Sequence, residues 1–366
     1  MKRVLCLLSS MNAGGAETFL MKLYRQLDRT KYQMDFCINV KEKCFYEEEI
    51  LSLGGKIYRI PSKSENRKQF KTGLSNIVKE NSYEYVLRIT SNAMGFMDLK
   101  VAKKAGAKIC SARSSNSSDG KGIKKVIAHK IGNILYKKYV DVKFAPSDLA
   151  AKYTFGEKDY KNGKVSILHN GVDLNVYKYN NADAEQIRKE FGIDDGYKII
   201  GHVGRFMEQK NHKFLLNVFA EIKLQLDKVK LLLIGDGVLK EKIEQQSNEL
   251  GISRDVIFTG VRSDVPKLMS AMDVFVFPSF FEGMPNTVIE AQAMGLPCVI
   301  SDTITKEANI TGLVEYLSLE ESVKNWADIA IAKIALERKD TKEDFVRNEY
   351  EINSVVNKFV KLVFGE

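Results

Sequence analysis

Residues Val274 to Asp302 read VFVFPSFFEGMPNTVIEAQAMGLPCVISD, and this stretch leaves few folds open. Val274–Phe277 is a short run of β-branched and aromatic residues, suited to a strand covered on both faces. Pro278-Ser279 ends it, and a loop with Glu282 and Gly283 follows. Pro285 fixes a φ suited to a first helical turn, and Gly295 with Pro297 stops the helix after Met294. Val299-Ile300 opens the next strand. The order strand, loop, helix, strand is the repeating unit of a parallel sheet.

Two carboxylates frame the loop. Glu290 lies four residues beyond Asn286, about 6 Å along a helix at ~1.5 Å per residue. The first N–H groups, on Asn286, Thr287 and Val288, suit a phosphate. A carboxylate one turn deeper can accept hydroxyls from a ribose joined to that phosphate, and Glu282 reaches the group on its far side. The spacing therefore fits a nucleotide diphosphate carrying a sugar. On spacing alone, the reading ahead of it is a first-turn Glu favoured by the helix dipole and a solvated loop Glu.

The pattern recurs along the chain. Strands are expected at Val4–Leu8, Met34–Val40, Lys56–Ile60, Tyr85–Ile89, Lys108–Ser111, Val142–Pro146 and Val165–Leu168, with helices between them. It restarts with strands at Ile199–Val203, Lys230–Ile234, Val256–Thr259 and Leu313–Leu317, and closes with helices over Glu320–Leu336 and Glu343–Phe364. The expected class is α/β, two doubly wound, Rossmann-like parallel-sheet domains. Two domains also suit a length of 366 residues. Residues 1–172 form the first, joined by a final helix at about 350–366, and residues 196–349 the second. The polar stretch 173–195 reads as a linker.

Ligands of such sheets sit beyond the carboxyl ends of the strands. Gly204, Arg205, Lys210, Gly235, Gly260 and Glu282 all fall there. Arg205 offers a planar fork for phosphate oxygens and Lys210 a point charge. Near the start, Gly14 and Gly15 let backbone approach a ligand, or close a βα corner. This is not G-x-G-x-x-G, which disfavours a dinucleotide.

Charge is unevenly divided. Residues 1–170 carry 32 Lys and Arg against 16 Asp and Glu, and residues 171–366 carry 24 against 31. The first half therefore offers a basic surface. Gly122–Tyr139 has apolar residues at helical spacing among lysines, which reads either as a surface helix packed on the sheet or as a helix lying on an anionic membrane. Basic residues without interleaved aromatics argue against nucleic acid. The five scattered Cys read as reduced thiols of a cytoplasmic protein, and no apolar run approaches a membrane span.

With these residues in hand, the chain resembles the retaining glycosyltransferases of the GT-B fold, in the large bacterial family numbered four that serves capsule, exopolysaccharide and O-antigen synthesis. The marks are Gly14-Gly15-Ala16-Glu17, Ala145-Pro146-Ser147, Asn170-Gly171-Val172-Asp173, Val203-Gly204-Arg205 with Lys210-Asn211, Ile234-Gly235-Asp236-Gly237, Phe258-Thr259-Gly260, and Glu282-Gly283 through Glu290-Ala291. The resemblance implies two domains facing a central cleft, a nucleotide sugar on the second and a glycan or lipid-linked acceptor on the first. It implies Glu290 on the ribose, Arg205 and Lys210 on the diphosphate, and Val261-Arg262 along the base. Glu282 would contact the transferred sugar with the backbone of Gly283, Met284, Pro285, Asn286 and Thr287, while Gly14-Gly15 closes over the phosphates. Glu282, Arg205 and Lys210 would be the catalytic set. No metal or other cofactor is implied, and uridine is the expected base.

Relatives carry two His where Arg113 and Ser115 stand, so no His acid–base role carries over. Arg113, Ser115 and Asn116 are kept as acceptor-binding candidates. A front-face mechanism needs no such His, because the departing phosphate can take the acceptor's proton. A nucleotide-sugar epimerase and a non-catalytic basic binding protein for membranes or polyanions remain the alternatives. The expected place of work is the cytoplasm, peripherally at the inner membrane face.

Overall fold

The computed structural model describes residues 1–115 and 123–366, and the side chains of residues 123–125 fall outside that description. The chain divides into two compact units, residues 1–171 with 349–366, and residues 172–348.

The first unit runs β1 (Lys2–Leu7), α1 (Gly15–Gln26), β2 (Tyr32–Ile38), α2 (Glu47–Ser52), β3 (Ile57–Arg59), α3 (Arg67–Glu80), β4 (Tyr85–Thr90), α4 (Phe96–Lys104), β5 (Ile109–Ser114), α5 (Ile123–Tyr136), β6 (Val142–Ala145), α6 (Asp148–Phe155), α7 (Glu157–Lys161) and β7 (Ser166–Ile167). Its seven strands are all parallel, in the order β3-β2-β1-β4-β5-β6-β7. Side chains alternate across each strand, so β1 sends Val4 and Cys6 to one core and Leu5 and Leu7 to the other. Ser147 caps α6 by accepting from the Ala150 N–H, as its position before the apolar turn suggests. Asp35 is fully buried and fully satisfied. Arg3 grips it with two bonds of 2.6 Å, the Tyr83 hydroxyl donates at 2.6 Å and the Lys56 N–H at 2.7 Å.

The second unit runs α8 (Asn181–Glu190), β8 (Lys198–Val203), α9 (His212–Gln225), β9 (Val229–Ile234), α10 (Lys240–Glu249), β10 (Val256–Gly260), α11 (Val265–Ala271), β11 (Val274–Phe277), α12 (Asn286–Ala293), β12 (Cys298–Ser301), β13 (Val314–Leu317), α13 (Val323–Ile334) and α14 (Lys342–Arg347). Its six strands are parallel, in the order β10-β9-β8-β11-β12-β13, with an apolar core on each face.

Two expectations need correcting. The segment read as a linker holds α8, whose Ala184 and Ile187 are buried in the second unit's core with Ile193. Few apolar residues were enough because they share one helical face, while the rest of the segment stays polar. The helix expected over Glu343–Phe364 is two helices, α14 and α15 (Ile352–Phe364), with Glu349 at φ 59° between them. At that break the chain returns to the first unit. There α15 packs Ile352, Val355, Val356, Phe359, Val363 and Phe364 into the core beside α1. Lys2 pairs with Glu366 at 2.5 Å, fixing the end of α15 beside β1.

All five cysteines are free and buried. Burial pushes the thiols of Cys37 and Cys110 up to about 12, so neither supplies a thiolate near neutrality.

Candidate active site

In the second unit, β8 and β11 are neighbours, with β9 and β10 on one side and β12 and β13 on the other. The connections leaving β8 and β11 diverge, which opens a crevice beyond their carboxyl ends. The loop after β8 carries Gly204, Arg205 and Lys210. The loop after β11 carries Glu282 and leads into α12. Their tips meet. Lys210 Nζ lies 2.7 Å from Glu282 Oε1, with both side chains largely buried, and the ammonium sits 4.5 Å above the centre of the Phe277 ring. The same loops are laced by the Phe280 N–H donating to Gln209 O at 2.9 Å and the Gln209 side-chain amide donating to Phe281 O at 2.8 Å.

Gly235, after β9, closes the third side. Its φ is +138°, and a Cβ there would lie 2.2 Å from Gly204 O. Only glycine lets these two backbones approach so closely. The stem of Lys210 passes Gly204, where its Cγ and Cδ would lie 3.3 Å from an added Cβ.

Helix α12 starts after Pro285, which makes no side-chain cap bond. Glu290, on its fifth residue, is buried, and Met284, Asn286 and Thr287 around its start are half-buried, as is Gly283 before them. Arg205 is exposed and pairs with no described carboxylate. Val261 is exposed too, whereas Arg262 is held at 2.5 Å by Glu190 of α8 and at 2.7 Å by Asp264, two carboxylates that strengthen its hold on its proton. Of the expected donor residues, those from Gly204 to Glu290 lie on the loops and helix that follow the strands of one sheet, with Lys210 and Glu282 in direct contact. Gly14 and Gly15 belong to the first unit, where Gly14 precedes α1 and Gly15 begins it.

Beneath Lys210 lies a pair of histidines. His202 and His212 are buried, with ring centroids 4.7 Å apart. His202 Nδ1 lies 2.9 Å from Val276 O, while His202 Nε2 and both nitrogens of His212 have no hydrogen-bond partner among the described residues. Desolvation, helped by the nearby Lys210 charge, drives His202 well below the usual imidazole value and His212 down to about 3. Both rings are therefore neutral packing groups. The contact of His202 with His212 was not legible in residues ten apart in sequence.

In the first unit the acceptor candidates separate. Arg113 is buried, its guanidinium 3.6 Å above the Phe19 ring of α1 and donating to Asn170 Oδ1 at 2.5 Å. Desolvation lowers it to about 9. The alternation of β5 turns it inward, so it braces the core instead of presenting itself to an acceptor. Ser115 is exposed at the end of β5, and Asn116 lies outside the described residues. Sequence reasoning passed over Lys63, Arg88 and Asp98, which gather beyond the carboxyl ends of β1 and β4. The signal was present: Arg88 is a charge inside the apolar run YVLRIT.

Comparison with known proteins bears on the family and the fold. The family described as Glycosyl transferases group 1 matches residues 183–351. The putative glycosyltransferase EpsF of Bacillus subtilis is 38% identical over 347 residues, spanning 93% of this chain and 90% of that protein. The Escherichia coli UDP-Gal:alpha-D-GlcNAc-diphosphoundecaprenol alpha-1,3-galactosyltransferase is 33% identical over 145 residues, 38% of this chain and 37% of its own length. Among solved structures, the Anabaena protein Alr3699/HepE in complex with UDP and glucose aligns over the whole of both chains, with a TM-score of 0.76 at 16% identity. That likeness shows the GT-B fold. The chain, a sugar-transferring enzyme built on two parallel sheets, belongs to the group 1 glycosyltransferases.

Proposed function

We propose that this glycosyltransferase takes its sugar from a uridine diphosphate sugar and keeps the anomeric configuration. The sugar goes to a glycan or lipid-linked oligosaccharide in the assembly of a bacterial surface polysaccharide such as a capsule. The observation that carries the reading is the Lys210–Glu282 pair at the crevice of the second sheet, with Glu290 one turn into the following helix. An ammonium has three donors, so Lys210 can hold Glu282 and a phosphate oxygen together. Arg205 is exposed and pairs with no described carboxylate, and so is open to the same diphosphate. Glu290 takes the ribose hydroxyls, Val261-Arg262 flanks the base, and Glu282 with the backbone of Gly283 to Thr287 orients the transferred sugar.

In this reading the bond from the sugar's anomeric carbon to the phosphate oxygen breaks as the acceptor oxygen bonds to the same face. The acceptor's proton goes to the departing phosphate. The protein contributes positioning and cationic stabilisation of the leaving group, and no metal is required. The names of the Escherichia coli relative and the Anabaena complex support the choice of uridine diphosphate.

Helix α5 supports work at the inner face of an anionic membrane. Among the described residues no helix is long and apolar enough to cross one. But α5 exposes Ile127, Ile131, Ile134 and Leu135 with Lys130 beside them.

Titration of the whole chain with UDP by calorimetry tests the donor assignment. Binding should weaken at least tenfold in Arg205→Ala and Glu290→Ala, and unchanged affinity in both would overturn it. Proton NMR of the product's anomeric signal tests retention.

A further inference from the structure

The strand order of the first unit makes β1 and β4 its diverging neighbours, with β2 and β3 to one side and β5 to β7 to the other. A cavity of about 390 Å³ opens there, beyond the carboxyl ends of β1, β4 and β5. Its wall holds an unbalanced charge group. Asp98 of α4, almost fully buried, receives Lys63 Nζ at 2.7 Å on one oxygen and faces Arg88 Nε at 3.1 Å with the other. The alignment of Arg88 Nε is too poor for a hydrogen bond, so that donor has no partner among the described residues, while Arg88 Nη1 donates to Leu7 O at 2.9 Å.

Two cations thus share one carboxylate in a half-buried place, and Arg67 adds its field to theirs. Desolvation holds Lys63 below the usual lysine value. The other described carboxylate on the wall, Glu17 of α1, makes no ion pair with a described residue and is raised by desolvation, so it is a weak counter-ion. Surplus positive charge with restricted hydration favours an anionic ligand. Ser9, Ser91 and Asn92 at the rim provide hydroxyl and amide groups of the sort that bind sugars.

We propose that this cavity is an acceptor subsite for a phosphate group joined to a sugar, gripped by Lys63 and Arg88 while Asp98 holds the two cations in place. The proposal rests on the reading that the chain transfers sugar to a glycan or lipid-linked acceptor, and it adds that the acceptor carries a phosphate joined to a sugar. The phosphate could belong to a lipid diphosphate or to a soluble sugar phosphate, and the chemistry of the grip is the same.

The test uses the whole chain with UDP at saturation, so that phosphate probes do not compete at the donor loops. Methyl phosphate, citronellyl diphosphate, glucuronate and methyl glucoside are titrated by calorimetry. The phosphate probes should bind, and at least tenfold more weakly in Lys63→Met and Arg88→Met. Ser91→Trp, at an exposed position, should block the mouth with the same loss while both cations stay in place. Stronger binding of the diphosphate points to a lipid-linked source, and equal binding to a sugar phosphate.

Phosphate affinity unchanged in all three variants would overturn the proposal, as would glucuronate or methyl glucoside binding as well as phosphate. UDP affinity is measured separately on each protein. Its absence in the unaltered chain would sink the donor reading, and the phosphate titrations, then run without UDP, would still decide this one.

Discussion

Replacing His212 with Phe should flatten the acid sensitivity of the second unit. His212 is buried, makes no hydrogen bond to a described residue through either nitrogen, and is held neutral down to about pH 3. In the unfolded chain it titrates near 6.5. The folded state therefore binds fewer protons than the unfolded state, and stability falls as pH drops. The contribution of the neutral ring is fully present above pH 6.5 and is lost progressively between 6.5 and about 3. Linkage gives a loss of about 1.4 kcal/mol between pH 7.5 and 5.5, and about 2.7 kcal/mol by pH 4.5. His202 adds a loss of the same sign in both proteins. The assay is urea unfolding followed by tryptophan fluorescence. The chain has one Trp, Trp326, buried in the second unit with its indole N–H on Ser318 O at 2.9 Å, so the signal reports that unit. His212→Phe should be at least as stable as the parent near neutrality, because it removes two unsatisfied nitrogens. The difference in its favour should grow by about 1.4 kcal/mol on going to pH 5.5. Parallel stability curves for the two proteins would refute the reasoning.

Three further outcomes are expected. Lys210→Met should leave the fold intact and cut transfer by about 100- to 1000-fold, the usual effect of removing one charge-stabilising donor, read as initial rate at saturating donor. Gly235→Ala should lower the second unit's urea midpoint by an amount worth about 2 kcal/mol or more, since its Cβ would collide with Gly204 O at a φ that L-residues avoid. Ile134→Glu with Leu135→Glu should reduce co-sedimentation with phosphatidylglycerol vesicles without changing UDP affinity, and undiminished sedimentation would remove α5 from the membrane reading.

Much of the architecture was legible because buried parallel strands write themselves as dense apolar runs. Val274–Phe277 was readable in this way, and so was the helix ended by Gly295 and Pro297. The meeting of Lys210 with Glu282 followed from a topological rule, since both loops leave neighbouring strands at their carboxyl ends. What stayed hidden depends on direction. A period of two along β5 does not say which face Arg113 takes, and it lies inward against Phe19. Helix α8 escaped notice because Ala184 and Ile187 are too few to stand out in a polar stretch, yet suffice once α11 covers them. The grouping of Lys63, Arg88 and Asp98 joins three separate elements, and only the fold sets them side by side.

The return of α15 to the first unit has a consequence for biosynthesis. Six of its apolar side chains complete a core most of whose other members, from Val4 to Ile50, are made about three hundred residues earlier. On the ribosome the second unit has all its own residues before the first has its closing helix, although the first began to emerge sooner. Until α15 arrives, the apolar groove beside α1 stands open to water and to other nascent chains. Deleting residues 349–366 would therefore leave the second unit's own core complete while making the amino-terminal one sticky, and chaperone dependence should concentrate in that interval of synthesis.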